Sequence, residues 1–391
     1  MKFIKLGLSA LIGIIVPLAY ADAPSTSTTL ISASSVTNAA ALGANLGGLS
    51  VFSYTASTMG ASSTVWGSYW SGGVITSAAS GSVHGSITSP LGSTLGDHAR
   101  ITGNLMSGDV LTIGNTSNVG GSITSAGASS VGANGFVAGN MTAGGVASIG
   151  AYATVNGNVN APAAPVLGAG STVGGSIGNM PVSSNLSANL TSQNVAGGLQ
   201  IAAAQAGLAS LTPTTTLAAT QTVSRTFYAG VYQADSWSTT DGIVLTLDAQ
   251  GQDNASFVFN FRDIFVTGAN TTVNLINEGK NDHVIWNAYG AGGYVAMGAS
   301  TALMGPVLAT TYIEVGASSI LSGVDSSCGG VFSATSYVHG GASAQIGGAG
   351  CSFPSFITAV PEPSSNALML GGLGAVALIV RRRRPLSAST R

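Results

Sequence analysis

Residues 101–118 read ITGNLMSGDVLTIGNTSN, and residues 119–136 read VGGSITSAGASSVGANGF. Both segments begin with an apolar residue, place a glycine two residues later, and continue with a small polar and then a large apolar side chain. This 18-residue pattern recurs without insertion or deletion in copies that begin at Val65, Val83, Ile101, Val119, Val137, Val155 and Val173. A fixed period over adjacent copies indicates that each copy stacks on the next one.

The alternation of apolar and other side chains inside each copy has the period of two that is typical of β-strands. A strand–turn unit of 18 residues is too short to bury its own apolar side, so it needs neighbouring units. The sequence therefore predicts an all-β fold, a β-solenoid with one coil per repeat and a rise of about 4.8 Å per coil. The pattern does not determine the handedness of the solenoid.

Residues 1–21 have the features of a secretory signal peptide. Two lysines precede the apolar segment 6–18, and Ala19-Tyr20-Ala21 forms a cleavage site of the small-x-small type. We therefore expect an exported protein whose mature chain begins near Asp22. The alternative is an uncleaved anchor helix, but the apolar segment is short for a helix that spans a membrane.

The chain combines 45% hydrophobic residues with only 6% charged residues. Disordered chains are poor in apolar residues and rich in charge, so this composition predicts a folded, β-rich body. Between residues 22 and 359, twelve acidic residues outnumber the four basic ones, Arg100, Arg225, Arg262 and Lys280. This balance leaves no basic patch for nucleic acid, and it argues against a polysaccharide lyase, which needs clustered charged residues on one face.

Residues suited to catalysis or metal binding are scarce. The histidines His84, His98, His283 and His339 are separated in the sequence, and an isolated histidine in a strand or turn is more often solvated or hydrogen-bonded than catalytic. The segment 248–254 resembles a calcium loop but lacks the full spacing of oxygen ligands, which favours a plain turn. We therefore expect no enzyme activity, no metal site and no cofactor.

The chain has two cysteines, Cys328 and Cys351. In an oxidising compartment they are expected to form a disulfide that closes a surface loop. The alternative is two unpaired, buried thiols. Two cysteines without a matching histidine pair fall short of the four ligands of structural zinc.

Changes in composition divide the chain into segments. We predict a signal peptide over 1–21, an N-terminal cap over 22–64, the repeat block over 65–180, a loop and helix over 181–212, a second solenoid block over 213–352 and a tail over 353–391. The loop is expected at 181–194, and the helix at Val195–Leu211, where Pro213 stops it. The bulky strands Phe257–Phe261 and Val284–Trp286 are expected to fill a wider core against this helix.

The stretch from Ala203 to about Gly348 resembles the bacterial ice-binding protein family. The segments that carry the resemblance are AAAQAGLASL in the helix, then Tyr228–Tyr232, Ile243–Gly251, Asn254–Phe261, Thr272–Asn277, His283–Asn287, Gly305–Ala309 and Ile313–Ser318. The resemblance implies a discontinuous β-solenoid with a helix packed along its side and a flat face that engages ice. The family also includes exported domains with a role in adhesion. The repeat block departs from the family, whose N-terminal half is shorter and less regular, and it is more similar to a bactofilin-type stack.

The tail has three parts: Pro361-Glu362-Pro363, the apolar segment 367–380 and the cluster Arg381-Arg382-Arg383-Arg384. The apolar segment is predicted to be a C-terminal membrane helix, and the arginines hold the extreme C-terminus in the cytoplasm. This pattern resembles the PEP-CTERM sorting signal. The resemblance implies that a membrane protease, exosortase, cleaves near the Pro-Glu-Pro motif and passes the protein to the cell surface or to an exopolysaccharide matrix. The alternative is a plain tail anchor.

Side chains three and five positions after the start of each repeat are predicted to face outward and to stack into ladders. The candidate binding residues are Ser86, Asn104, Ser122, Asn140 and Asn158 in one ladder, Thr88, Thr124 and Thr142 in the next, and Thr310 and Thr311 in the second block. A regular, uncharged plane of hydroxyls and methyls can order water into a lattice-like layer, whereas the alternative is that the ladders only solvate the stack. Aromatic residues offer a glycan-binding face instead, at Trp66, Tyr69 and Trp70.

Two functions therefore fit the sequence. One is an ice-binding protein exported through the inner membrane, and the other is a structural or adhesive component of the exopolysaccharide matrix at the cell surface. The expected partners are ice or extracellular polysaccharide, exosortase during processing, and the membrane through the C-terminal helix before processing.

Overall fold

The computed structural model describes residues 46, 48–179, 182, 185–325 and 328–348. Three short strands separated by turns make one coil, and each strand pairs in parallel with the equivalent strand of the next coil. In the repeats the paired residues are 18 positions apart, so Ile123 pairs with Leu105 on one side and with Met141 on the other. The described residues form parallel strands and one helix, which confirms the predicted all-β class.

The three strands of each coil belong to three columns, which we call faces A, B and C. Face A comprises, in stacking order, Ile177–Gly178, Val159–Asn160, Met141–Ala143, Ile123–Ser125, Leu105–Ser107, Ile87–Ser89, Ser68–Ser71, Leu49–Ser53, Gly330–Ser333, Pro306–Ala309, His283–Ala288, the first halves of Ser256–Thr267 and Gly230–Thr239, and Thr215–Thr216. These strands are consecutive neighbours in one hydrogen-bonded sheet.

Face B shares the two long strands with face A, because each of them bends from one face onto the other. Face B comprises Val166–Leu167, Ala147–Ile149, Ser129–Val131, Leu111–Ile113, Ser93–Leu95, Ile75–Ser77, Ser57–Met59, Val338–Gly340, Ile313–Val315, Tyr294–Met297, the second halves of Ser256–Thr267 and Gly230–Thr239, and Thr220–Gln221.

Face C is a separate sheet. It comprises Thr172–Val173, Thr154–Val155, Phe136–Val137, Asn118–Val119, Arg100–Ile101, Ser82–Val83, Thr64–Val65, Gln345–Ile346, Ile320–Ser322, Ala302–Met304, Thr272–Ile276, Val244–Asp248 and Arg225–Tyr228.

The coils do not stack in chain order. Leu49–Ser53 pairs with Ser68–Ser71 on one side and with Gly330–Ser333 on the other. The first described strand therefore lies in the middle of the stack. From there the chain builds a first block (residues 49–178) towards one end, and then a second block (residues 215–346) that returns to the coil of Leu49–Ser53. The two blocks form one continuous stack.

This order corrects the prediction of an N-terminal cap over 22–64. The strands at Leu49–Ser53, Ser57–Met59 and Thr64–Val65 are hydrogen-bonded to a coil on each side, so residues 49–64 join the two blocks. Without this coil both blocks would leave a parallel sheet edge unpaired, which is unfavourable. Residues 22–45 lie outside the described residues.

Helix α1, Leu186–Ala209, connects the two blocks and packs on face A. It begins earlier than predicted, and the expected loop over 181–194 is wrong from Leu186 onward. Asn194 accepts a hydrogen bond from Trp70 Nε1 at 3.0 Å and donates one to the Tyr54 carbonyl at 2.9 Å. These contacts with the solenoid overcome the weak helix propensity of the Ser, Thr and Asn residues in this segment.

The aromatic side chains of the bulky strands in the second block fill the interior of the solenoid. Trp286 stacks on Phe259 at 4.3 Å and on Phe265 at 4.9 Å between ring centroids, and all three are fully buried inside the coils. The helix instead contacts the outward side chains of face A, Phe52, Val231, Val258, Ile285, Leu308 and Phe332. The expectation that these strands pack against the helix is therefore confirmed for their outward side chains, Val258 and Ile285. Their aromatic side chains fill the interior instead, because successive side chains alternate between the two sides of a strand.

Buried serines satisfy backbone groups in the turns between faces A and B. The hydroxyls of Ser71, Ser89 and Ser107 each donate to a carbonyl 16 residues earlier in the chain, at 2.7, 2.6 and 2.7 Å. An intramolecular hydrogen bond contributes about 0.5–1.5 kcal/mol net, so this repeated serine stabilises the turn in each of these coils.

One turn position between faces B and C adopts positive φ in consecutive coils. It is occupied by Thr116 at 57° and, one coil later, by Asn134 at 56°. Asn accepts the left-handed region more readily than a β-branched residue does. We therefore expect Thr116→Asn to raise the free energy of unfolding by about 0.5–1 kcal/mol, measured by urea denaturation.

Thr154→Asn is the matched control for this prediction, because Thr154 lies in a regular strand of face C. There the same substitution should give no gain, since Asn is a poor strand former. A Thr116→Asn variant no more stable than the wild type would contradict the prediction.

Several expectations fall outside the described residues. The predicted disulfide between Cys328 and Cys351 has its second cysteine there, and the signal peptide, the Pro-Glu-Pro motif and the apolar segment 367–380 lie there entirely. They stay predictions. Within the residues that the structure describes, no helix combines the length and the apolarity needed to cross a membrane.

Candidate functional site

The first predicted ladder lies immediately before the strands of face A, and its side chains bond to the protein itself. The oxygens of Ser86 and Asn104 accept the backbone N–H of the next member at 3.1 and 2.7 Å. Those of Ser122 and Asn140 do the same at 3.0 and 2.8 Å, and Asn158 continues the series. Each of these oxygens is therefore occupied in tying one coil to the next.

The second predicted ladder lies in the outward row of face A. The direction of its side chains is as predicted, since Ile123 is fully buried while Thr124 is partly exposed. In the stack this row continues from Thr142 through Thr124, Met106 and Thr88 to Trp70, on which helix α1 packs. The row is interrupted by methionine and ends beneath the helix, so it is not an open plane along the stack.

Thr310 and Thr311 lie in the turn between faces A and B of the second block. The Thr310 hydroxyl donates to Gln205 Oε1 of helix α1 at 3.2 Å, and the Thr311 hydroxyl donates to the Gly293 carbonyl at 2.9 Å. Both hydroxyls therefore have partners inside the protein, and the structure does not bring these residues together with the other candidates.

The three aromatic residues proposed for glycan binding point in different directions. Tyr69 is fully buried in the solenoid, Trp70 packs beneath helix α1, and Trp66 lies on the outside of face C. There Trp66 stacks on His84 with 3.9 Å between ring centroids, and partial burial lowers the pKa of His84. The expectation of an aromatic cluster in this coil is wrong, because Tyr69 and Trp70 are neighbours in one strand and face opposite sides, and Trp66 follows a strand of a different face.

Face B of the first block carries an in-register row of hydroxyl residues that the sequence analysis missed. Its members, each paired with the next, are Thr58, Thr76, Thr94, Thr112, Ser130 and Ser148. The four threonines are exposed and the two serines are half-buried. We call this set the hydroxyl row of face B. Its signal, a Thr or Ser every 18 residues from position 58, is present in the sequence but lies in the second strand of each coil.

A second outward row runs beside the hydroxyl row, two residues earlier in each coil. Its large members, Val74, Val110 and Val146, are 42%, 47% and 49% exposed. Gly92 and Ala128 occupy the coils between them. The two rows are spaced by about 6.6 Å along the strand and their members by about 4.8 Å along the stack. Together they form an uncharged surface of hydroxyl and methyl groups.

Face B of the second block carries aromatic and charged side chains. Tyr294, Tyr312 and Tyr337 form an outward stack, with 4.6 and 5.1 Å between successive ring centroids. Glu314 accepts a hydrogen bond from the Tyr337 hydroxyl at 3.2 Å, and burial together with this contact raises the pKa of Tyr337. His339 bonds Thr58 through its ring nitrogen Nδ1, at the junction of the two blocks.

His283 is a buried titratable group of the second block, next to the buried Asp282. Neither ring nitrogen has a hydrogen-bond partner, and burial lowers the pKa of the imidazole although Asp282 and Asp325 act in the opposite direction. Both carboxylates already accept backbone N–H groups. Across the described part of the chain, no group of three or more His, Cys, Asp or Glu residues could hold a metal ion.

Two regions of the chain match known protein families. Residues 150–339 match the family described as Ice-binding-like, and residues 359–384 match the PEP-CTERM protein-sorting motif. An ice-binding protein of Nostoc sp. (strain HG1) is 31% identical over 196 residues, which cover 50% of this chain and 68% of that protein.

Solved structures of ice-binding proteins are similar at lower identity. That from the Antarctic ascomycete Antarctomyces psychrotrophicus is 22% identical, with a TM-score of 0.33, over 54% of this chain and 92% of its own. That from an Antarctic bacterium of the Flavobacteriaceae is 15% identical, with a TM-score of 0.32, over 77% of this chain and 96% of its own.

Proposed function

Because this chain belongs to the family of ice-binding-like proteins, we propose that it is an exported protein that binds ice through face B of its first block. The single observation that supports this choice of surface is the hydroxyl row of face B, with its parallel row of exposed valines. The hydroxyl row lies before residue 150, outside the region 150–339 that matches the family. The choice of this surface therefore rests on its geometry.

A flat solid can be bound by a protein surface that is itself flat, regular and rigid. Parallel pairing holds each threonine in the row at the interstrand spacing, so its methyl and hydroxyl groups are positioned before binding and lose little freedom on contact. No Asp, Glu, Lys, Arg or His occurs between Asp109 and Arg225, so much of this surface lacks the charges that hold their own hydration shells.

The other faces fit this role less well. Face A is covered by helix α1 over part of its length, and its outward row is interrupted by Met106. Face C carries the exposed charge of Arg100 and the stacked rings of Trp66 and His84. Charged groups and protruding rings break the flatness that contact with a crystal plane requires.

The proposal is tested with residues 22–359, which contain every described residue. We expect thermal hysteresis and inhibition of ice recrystallisation well above those of an equal concentration of a control protein such as albumin. Activity no greater than that of the control would refute ice binding. A non-enzymatic role is part of this proposal, because binding a solid surface needs no catalytic group.

We also propose that the PEP-CTERM motif directs the chain to the cell surface or the extracellular matrix, with cleavage near Pro361-Glu362-Pro363. Deleting these three residues, or replacing Arg381–Arg384 by neutral residues, is expected to leave the protein in the membrane fraction with its tail uncleaved. Cell fractionation and mass spectrometry of the C-terminus measure this outcome. Surface protein that retains the apolar segment 367–380 would favour a plain anchor.

A second candidate function, binding of extracellular polysaccharide, is favoured by the tyrosine stack on face B of the second block. Tyr337 is 36% exposed at the end of the stack, beside the carboxylate of Glu314. Aromatic rings beside hydrogen-bonding groups suit the apolar and polar sides of a sugar ring. Retention of wild-type protein, but not of a Tyr337→Ala variant, in affinity electrophoresis through matrix polysaccharide would support this role.

A further inference from the structure

The last coil of the first block, which we call the end coil, has a neighbouring coil on one side only among the residues that the structure describes. It consists of Val166–Leu167, Thr172–Val173 and Ile177–Gly178, and among the described residues each of these strands pairs only with the preceding coil. Three parallel sheet edges therefore present unpaired backbone N–H and C=O groups.

The side chains of the end coil show what the missing neighbour would cover. Leu167 is 47% exposed, whereas the residue at the same repeat position one coil earlier, Ile149, is 2% exposed. Ile177 is 50% exposed, whereas its equivalent Val159 is fully buried. The repeat thus places apolar core residues at a position where no further coil of the described chain buries them.

The opposite end of the stack is closed by its own side chains. In the first coil of the second block, Leu217 is 6% exposed and Phe227 is 1% exposed. The guanidinium of Arg225 lies 4.9 Å from the centre of the Phe227 ring, and the Tyr232 hydroxyl bonds the Tyr228 backbone beside it. The apolar core is therefore open at the end coil and covered at the other end.

We propose that the end coil docks on the end coil of a second copy of this chain, giving a head-to-head dimer. Two identical sheet edges related by a two-fold axis meet with antiparallel strands, in which each unpaired N–H can find a C=O of the partner. The same contact buries Leu167, Val173 and Ile177 of both copies against each other.

The charge distribution favours a second copy as the occupant. In a contact with two-fold symmetry, residues near the axis meet the same residues of the second copy, so charged residues there would repel one another. The end coil lies inside the uncharged stretch between Asp109 and Arg225, so this repulsion is absent. At the other end the described strands also pair on one side only, but their apolar core is covered by its own side chains. No exposed core there drives a second contact, so the association stops at two copies and does not continue into a filament.

The N-terminal segment is the competing occupant within the same chain. Its first described residue, Leu46, packs in the cluster between helix α1 and face A, with Phe52 of the joining coil. That coil lies at the junction of the two blocks, far along the stack from the end coil. The outcome of the experiment below distinguishes the two occupants.

The test is the mass of residues 22–359 in solution, measured by sedimentation velocity and light scattering over a series of concentrations. We expect twice the monomer mass for the wild type, and the monomer mass for Leu167→Asp and Ile177→Asp. Both side chains are half exposed in the single copy, so circular dichroism should report an unchanged fold. Val223→Asp, at a residue that is 66% exposed beside the covered end, is the matched control and should remain dimeric.

Three results would overturn the proposal. The first is a wild-type monomer at every concentration, and the second is a dimer that survives both aspartate substitutions. The third is a wild-type monomer that becomes a dimer when residues 22–44 are deleted, because the chain's own N-terminal segment would then cover the end coil. None of these results depends on whether the protein binds ice.

Discussion

Replacing Thr94 by tyrosine is expected to remove most of the ice-binding activity while leaving the melting temperature nearly unchanged. Thr94 lies in the middle of the hydroxyl row of face B, between Thr76 and Thr112, and its side chain is exposed. Exposed substitutions of this kind usually change stability by no more than about 0.5 kcal/mol. A tyrosine ring would nevertheless hold neighbouring coils away from a flat solid, and contact energy falls steeply with such a gap.

The matched control is Thr124→Tyr, the same substitution in the outward row of face A. It adds the same ring to the same block, so it should reproduce any general effect on solubility or expression while preserving activity. Ice-recrystallisation inhibition measures the activity of both variants, and thermal denaturation measures their melting temperatures. Full activity in Thr94→Tyr would place the binding surface elsewhere, and a large fall in its melting temperature would mean that the side chain is more tightly packed than the structure shows.

The repeat could be predicted from the sequence because it is a local property. An 18-residue period, with glycines where neighbouring backbones approach closely, is visible along the chain, and the structure places the equivalent residues in register. At Gly121, for example, a Cβ would lie 2.6 Å from the Gly103 carbonyl oxygen of the preceding coil. The repeat thus determines both the stacking and the residues that allow it.

The order of the coils could not be predicted in the same way. Leu49–Ser53 pairs with Gly330–Ser333, a segment at the far end of the described chain, and short apolar strands of this kind pair equally well with many others. Which edge a strand completes depends on which edges the rest of the chain leaves open. That information lies in the tertiary structure, and it explains why residues 49–64 were expected to cap the stack.

The binding surface was only partly predictable for a related reason. Side-chain direction in the first strand of each repeat followed from strand alternation, and Thr124 faces outward as expected. Whether an outward row is open depends on what packs above it, and helix α1 covers the part of face A next to Trp70. The hydroxyl row of face B has the same period in the sequence, but its advantage, an uncovered face, appears only in three dimensions.

Replacing Trp286 by alanine is expected to lower the free energy of unfolding by about 3–5 kcal/mol, a loss typical of large aromatic residues removed from a core. Trp286 is fully buried, stacks on Phe259 and Phe265, and donates from Nε1 to the Met304 carbonyl at 2.9 Å. The substitution leaves a cavity among stacked rings and also leaves that carbonyl without its partner. Urea denaturation measures the loss.

Trp66→Ala is the matched control, because Trp66 is also a stacked tryptophan but lies partly exposed against His84 on face C. Its loss should cost about 1 kcal/mol, the energy of an aromatic pair without deep burial. Equal losses in the two variants would contradict the distinction between interior and surface stacking. Because each coil contacts only its neighbours, destabilisation at Trp286 should act mainly on the second block. We therefore expect the Trp286→Ala variant to retain its ice activity near 0 °C, a temperature at which the hydroxyl row of face B stays folded.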